Sequence, residues 1–256
     1  MSDFPKGCSV LFGASGGLGL AIARRMAELG ADQVLTYRRN ADALSTLVAE
    51  LETKGRRVEL RQCDCTDIES VRRVLDAAQA TFGRVHSVLS ATGLAYEFKC
   101  LADHDPAAFR EVIDTDVIGF FNIAKCTVAL MRKSGGGSIV TVGTAGIAKT
   151  VHGNTLSTVP KTAVARMVRL LALEEGRHNI RVNLVGAGLY RAGMTAAMEA
   201  QGKLGKITLD DFARMQIPLL RPGEPEELAN MVAFLASSRA AYVTGQVVHV
   251  DGGLSA

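Results

Sequence analysis

Apolar residues along this chain follow two alternating patterns. Short, almost unbroken runs occur at CSVLF (8–12), QVLTY (33–37), RVELRQC (57–63), VHSVLS (85–90), GSIVTVG (137–143), IRVNLV (180–185) and QVVHV (246–250). Between them lie longer stretches with apolar residues every three or four positions. These are 17–29, stopped by Gly30; 40–54, stopped by Gly55; 66–82; Pro106 to about Lys133; 157–175; and 224–237. A strand apolar on both faces is buried on both faces, which for strands separated by helices means a parallel sheet between helical layers. The pattern predicts an α/β, three-layer, doubly wound sheet of about seven parallel strands. No repeat, linker or low-complexity tract interrupts it, so one domain is expected over residues 1–256. The least regular part, 186–210, is rich in Gly and Met and follows a late strand. A lid over the strand ends is expected there, with Leu189, Met194, Met198 and Leu204 making part of the pocket apolar.

Composition narrows the setting. Hydrophobic residues are 48% of the 256 and charged ones 21%, enough to bury a sizeable core. The formal net charge is +3, and the cation pairs Arg24–Arg25, Arg38–Arg39, Arg56–Arg57, Arg72–Arg73 and Arg132–Lys133 are scattered among acidic residues. Most of these read as solvated faces, and no nucleic-acid partner is expected. No apolar run approaches the roughly 18 residues that span a bilayer, and MSDFPKG lacks the basic-then-apolar order of a signal peptide. A soluble cytoplasmic protein without a membrane partner is the expectation. Five cysteines without zinc-type spacing predict reduced thiols and no metal site, with Cys63 and Cys65 on opposite sides of one strand end.

The first chemistry is in FGASGGLGLAIA (12–23). Gly13, Gly17 and Gly19 lie between the first strand and the first helix, where missing side chains admit a phosphate to the backbone and the helix N-terminus offers N–H groups. A tight packing turn would carry the same glycines, but the position in the first strand–helix unit favours nucleotide binding. The second strand ends LTYRRN, with no acidic residue to hold a ribose 2′-hydroxyl. Arg38 and Arg39 would instead neutralise a 2′-phosphate, which points to NADP(H); the alternative is a solvated basic turn. Asp64, after the third strand, could accept a hydrogen bond from an adenine amino group.

Four segments then carry a family likeness. GASGGLG (13–19), SATG (90–93), IRVNLVGAG (180–188) and YVTGQVVHVDGG (242–253) together resemble the short-chain dehydrogenases/reductases of single-domain type. The resemblance implies a Rossmann-type fold, a nicotinamide cofactor and oxidoreductase chemistry on a carbonyl or alcohol. It extends the cofactor contacts to Ser15, Leu18, Cys65, Ala91, Gly93 and Gly188. It also implies a dimer or tetramer seamed by two long helices, and VIGFFNIAKCTVALM and AVARMVRLLAL do carry more apolar positions than one core stripe requires.

The likeness breaks at the reacting end. The family's lysine, which holds the nicotinamide ribose and lowers the pKa of the catalytic tyrosine, matches Lys161, but that tyrosine, four residues earlier, is Ser157 here. Thr144 stands where the family has a carbonyl-polarising serine, and Asp116 where it has an asparagine on the proton path to solvent. Ala187 and Ala192 stand where it has proline and a carboxamide-gripping threonine. A phenol has a pKa of about 10, which a neighbouring cation lowers, whereas an aliphatic alcohol starts several units higher. Ser157 is therefore no equivalent acid. The proton would come from Tyr190, His152, Tyr96 or a water. A second reading makes Ser157 a helix N-cap, with Pro160 in the first turn, where proline is tolerated; a Ser157–Lys161 nucleophile and base is a third. Three functions stay open: an NADP(H)-dependent oxidoreductase with a displaced proton donor acting on a partly apolar small molecule; a non-redox isomerase, cyclase or lyase using Asp116, His152 or Tyr190; or a catalytically silent nucleotide-binding partner of an active homologue.

Overall fold

The computed structural model describes residues 3–39, 41–200 and 208–256. Seven strands form one sheet in the order β3-β2-β1-β4-β5-β6-β7. They are β1 (Cys8–Phe12), β2 (Asp32–Tyr37), β3 (Val58–Gln62), β4 (Val85–Ser90), β5 (Gly137–Thr144), β6 (Ile180–Ala187) and β7 (Val247–Val250). Every pairing is parallel. The doubly wound sheet predicted from the alternation is the observed one.

Successive strand residues feed two cores, one on each face. Leu11, Leu35, Leu89, Val140 and Val185 pack with α1 (Gly17–Glu28), α2 (Asp42–Thr53) and α9 (Pro225–Ala236). Their neighbours Val10, Val34, Val88, Ile139 and Leu184 pack with α3 (Ile68–Phe82), α5 (Gly119–Met131) and α6 (Thr155–Glu175). This is the period-two consequence of strands covered on both sides.

Three local features depart from expectation. The stretch from Pro106 is α4 (Pro106–Val112), then a π-helical turn (Ile113–Ile118), then α5, rather than one uniform helix. α6 begins at Thr155, and the Asn154 carbonyl accepts the amides of Ser157 and Thr158 at 3.3 and 2.9 Å. Ser157 is thus inside the helix and is not its N-cap, and Pro160 lies beyond the first turn. Proline there removes only its own amide, the bond that would reach the Leu156 carbonyl, and the flanking packing holds the helix through it. Finally, Cys63 and Cys65 do not diverge. Residues two apart share one side of an extended chain, and both side chains pack against the same core, while Asp64 Oδ1 between them accepts the Thr66 amide at 2.9 Å.

The segment expected to be a lid contains α7 (Gly193–Ala200) and α8 (Leu209–Gln216). Thr208 and Asp211 form a reciprocal capping box at the start of α8, and Arg191 reaches Asp210 at 2.6 Å. Leu204 lies outside the described residues, as do the side chains of Met194 and Met198. Among the described residues no helix is long and apolar enough to cross a membrane.

Candidate active site

β1 and β4 are neighbours whose following connections run to opposite sides of the sheet, and ligands of open α/β sheets bind in the crevice at such a switch point. The glycine loop sits there. Gly13 has φ +80°, and a Cβ on it would stand 2.7 Å from the Ala91 carbonyl oxygen, so only glycine fits between the β1 and β4 exits. Gly17 lies against Ala192 and Gly193, which brings the start of α7 over the loop. The first turn of α1, with Leu18 and Gly19, has no side-chain cap and no acidic residue, and Ser15 beside it is exposed. Its amides are free to meet an anion, so these residues fit a dinucleotide pyrophosphate.

One strand further along, Arg38 and Arg39 follow β2 and face Asp64 after β3. Thr66 hydrogen bonds hold the Asp64 carboxyl below the usual range, with help from both arginines. Neither arginine side chain has an ion-pair partner among the described residues. This is the edge where the adenosine half of a dinucleotide would lie, and a half-buried and an exposed guanidinium group there suit a 2′-phosphate. Cys65 follows Asp64 at this edge, and its carbonyl accepts from Asn122 at 2.9 Å, which ties the turn to α5.

At the other end of the crevice α6 carries Ser157 and Lys161 one turn apart. Lys161 Nζ donates to the Thr92 carbonyl at 3.0 Å and lies 3.2 Å from Asp116 Oδ1, with side chains 13% and 6% exposed. The π turn supplies Asp116; such turns insert one extra residue in a helix and recur at functional sites. Burial raises the Asp116 carboxyl above its usual range, and the Lys161 charge opposes that shift. Gly93 lies against this pair: a Cβ there would be 3.9 Å from Asp116 Oδ1 and 4.0 Å from Lys161 Nζ.

Thr144, at the end of β5, accepts the Gly146 amide on Oγ1 at 3.1 Å, which leaves its hydroxyl proton free to donate. It opens onto a cavity of about 550 Å³ shared with Tyr96, Asn154, Gly188 and the apolar group Leu189, Leu209, Phe212 and Leu254. The Tyr96 hydroxyl donates to Asn154 Oδ1 at 2.9 Å and meets the Ser157 hydroxyl. His152 lines the cavity rim with Nε2 3.5 Å from Cys100 Sγ. Tyr190 faces elsewhere. It is buried, and its hydroxyl donates to the Val250 carbonyl at 2.6 Å, away from Lys161.

Comparison with known proteins identifies the family. The family described as enoyl-(acyl carrier protein) reductase matches residues 13–255. The chain belongs to the short-chain dehydrogenases/reductases. It is 32% identical to cis-4-hydroxycyclohexanecarboxylate dehydrogenase of Sinomonas cyclohexanicum, over 99% of this chain and 98% of that protein. A short-chain type dehydrogenase/reductase from Mycobacterium ulcerans superposes with a TM-score of 0.90 at 32% identity, over 98% of this chain and 90% of that one. A variant of the actinorhodin polyketide ketoreductase, solved with NADPH, superposes at 0.88 with 26% identity, over 97% of each chain. The proteins it matches are dehydrogenases and reductases, and this chain is an oxidoreductase of their kind.

Of the residues the sequence reading of this short-chain dehydrogenase/reductase singled out, Lys161 and Asp116 meet, Ser157 lies one turn from Lys161, and Thr144 lines the cavity. It missed Asn154, whose carboxamide ties the β4 connection to α6. A polar residue just before a helical stretch was the available signal, obscured by starting that helix at Ser157. It also missed Thr195, Leu209 and Phe212, which reach the cavity from α7 and α8.

Proposed function

We propose that this protein is an NADP(H)-dependent ketone reductase and alcohol dehydrogenase whose substrate is a partly apolar, ring-sized molecule. The observation that carries this reading is Thr144 at the wall of a cavity lined by Leu189, Leu209, Phe212 and Leu254, whose neighbour Asn154 opens the helix that bears Lys161. A bound dihydronicotinamide would supply hydride. Thr144 donates its hydroxyl proton to the carbonyl oxygen and polarises it, an effect of the oxyanion-hole kind. The Lys161 ammonium, held by Asp116 and the Thr92 carbonyl, supplies positive charge where oxygen becomes negative. Ser157 is too short and too weakly acidic to take the family tyrosine's role, so this site works with an altered acid. Arg38 and Arg39 support NADP(H) over NAD(H), as does the likeness to a ketoreductase solved with NADPH.

The dehydrogenase relative named for a hydroxycyclohexane carboxylate favours cyclic carbonyl compounds for the substrate panel. We also propose a cytoplasmic homo-oligomer. Phe121 and Ile118 near α5, and Leu170 and Leu173 on α6, are 43–82% exposed, apolar area that a second copy would cover.

Calorimetry should show NADPH binding at least about tenfold tighter than NADH, roughly 1.4 kcal/mol. Turnover of cyclic ketones with NADPH should follow. Tight NADPH binding without turnover of any ketone in the panel would overturn the reductase reading and favour a silent binding partner.

A further inference from the structure

Reduction of a ketone by this protein, on the reading above, needs an acid, and the α6 position that would normally supply one holds a serine. Ser157 is buried, one turn from Lys161, and its hydroxyl stops short of the cavity. A phenol nevertheless stands there. It comes from Tyr96, which the sequence places in a different segment, the connection between β4 and α4.

Backbone contacts hold that connection against the entry to α6. The Lys99 amide donates to the Gly153 carbonyl at 3.1 Å, and Lys99 bridges Asn154 in parallel, strand-like fashion. Gly153 has φ +76°, which a side chain would resist, and its missing Cβ keeps the Lys99 amide within reach. Next to the bridge, Phe98 meets the Tyr96 ring edge-on at 5.8 Å between centroids. The Tyr96 hydroxyl then has two partners on α6. It donates to Asn154 Oδ1 at 2.9 Å and meets the Ser157 hydroxyl, while its ring forms cavity wall together with Thr144.

We propose that Tyr96 is the catalytic acid of this site, its phenol delivered from the β4–α4 connection into the space that Ser157 leaves open. Asn154 and Ser157 are its positioning residues. In the reductive direction the carbonyl carbon gains a hydride, by which the reduced nicotinamide is oxidised. The carbonyl oxygen gains the Tyr96 proton, the C=O π bond breaks, and the alcohol forms. The phenolate left behind is stabilised by the Ser157 hydroxyl and reprotonated from water. One hydride and one proton are consumed per ketone.

The other candidates are less well placed. Tyr190 does not line the cavity and bonds the Val250 carbonyl behind it, and His152 sits at the rim beside Cys100. The electrostatics of Tyr96 also favour reduction. Burial pushes its phenol up to about 12, the Ser157 hydrogen bond pulls it down, and the Asp116 charge pushes it further up. At neutral pH the group therefore holds the proton that reduction needs. Oxidation of the alcohol needs the phenolate and should accelerate as pH rises.

The test uses the full-length protein, cyclic ketones and NADPH. Tyr96→Phe keeps the ring and its packing and removes only the hydroxyl. We expect kcat for reduction to fall about 100-fold or more, with KM and NADPH affinity changed less than about threefold, because general acid catalysis contributes 10²–10⁴. Ser157→Ala should move the rising limb of alcohol oxidation to higher pH, since it removes the hydrogen bond that favours the phenolate; a purely structural role would not move that limb. A readout independent of turnover is the near-ultraviolet phenolate band. The positive nicotinamide of NADP⁺ should lower the phenol's pKa, so adding it at about pH 10 should raise that band in the wild type and not in Tyr96→Phe. Turnover by Tyr96→Phe within about threefold of wild type overturns the proposal. So does a band that responds to NADP⁺ equally in both proteins. If the wild type reduces no ketone, the reductase reading fails, and the band alone then decides whether Tyr96 faces the nicotinamide.

Discussion

The crevice along the strand ends has an adenosine half and a reacting half, and they are assembled differently. In the adenosine half each group comes from the residues immediately after one strand: the glycine loop after β1, Arg38 and Arg39 after β2, Asp64 after β3. Its contacts are short in sequence and dominated by backbone, as with the Asp64–Thr66 turn and the uncapped start of α1. In the reacting half Thr144 comes from β5, Asp116 from a π turn, Lys161 and Ser157 from α6, and Tyr96 from a connection 58 positions away from its partner Asn154. A half made of local pieces keeps its residue pattern. A half made of converging pieces can move a function from one segment to another, provided the atom arrives at the same point in space.

If this contrast is right, the largest effect should come from the reacting half. Lys161→Met removes the cation and leaves Asp116 buried alone, so it is best made together with Asp116→Asn, which keeps the cluster neutral. The double variant should stay folded by circular dichroism. Ketone turnover should fall about 10²- to 10³-fold, within the range of acid–base catalysis, with NADPH binding largely kept. Loss of binding to the same degree would break the contrast, because the two halves would then not be separable.

A smaller effect is expected at the adenosine half. Arg38→Ala with Arg39→Ala should weaken NADPH by about tenfold or somewhat more, near 1.4 kcal/mol, while NADH changes less than about twofold. Calorimetric titration of both cofactors measures it. Equal loss for both would show that the arginines are a solvated basic turn and not a 2′-phosphate site.

The smallest effect is a stability term with a definite pH sign. The folded-state pKa of Asp64 is depressed from its ordinary value of 3.8, mainly by the Thr66 bonds. Its contribution to stability is therefore present above 3.8 and is lost as pH falls through the lower, folded value. Asp64→Ala should cost less than about 1 kcal/mol at neutral pH, since the group is solvent-exposed. Urea titrations of the two proteins should converge at acid pH. A difference that persists or grows in acid would mean that the carboxylate is not the group responsible.

The alternation of apolar runs with helical periodicity was sufficient for the sheet, because strand burial on both faces is written into consecutive residues such as Val10–Leu11 and Ile139–Val140. Glycine at 13, cations at 38 and 39, and the Ser157–Lys161 spacing were likewise readable, since each depends on a strand end or on one helical turn. The errors lay where a local rule had a tertiary competitor. Pro160 argued for a late start to α6, but Asn154 begins the helix earlier and the core packed against it tolerates the lost amide bond. Cys63 and Cys65 were expected on opposite sides of the strand end, but residues two apart share one side of an extended chain, and both pack against the same core.

By itself, then, the sequence determined the layer architecture, the place of the glycine loop between β1 and α1, and the absence of a tyrosine at position 157. Each of these follows from residues adjacent in the chain or related by a fixed helical or strand period. Only the tertiary structure decided which phenol faces Ser157. Tyr96 and Ser157 are linked by no local periodicity. They meet because the Lys99–Gly153 backbone bond closes a long excursion of the chain, and such closures are set by the packing of the whole sheet.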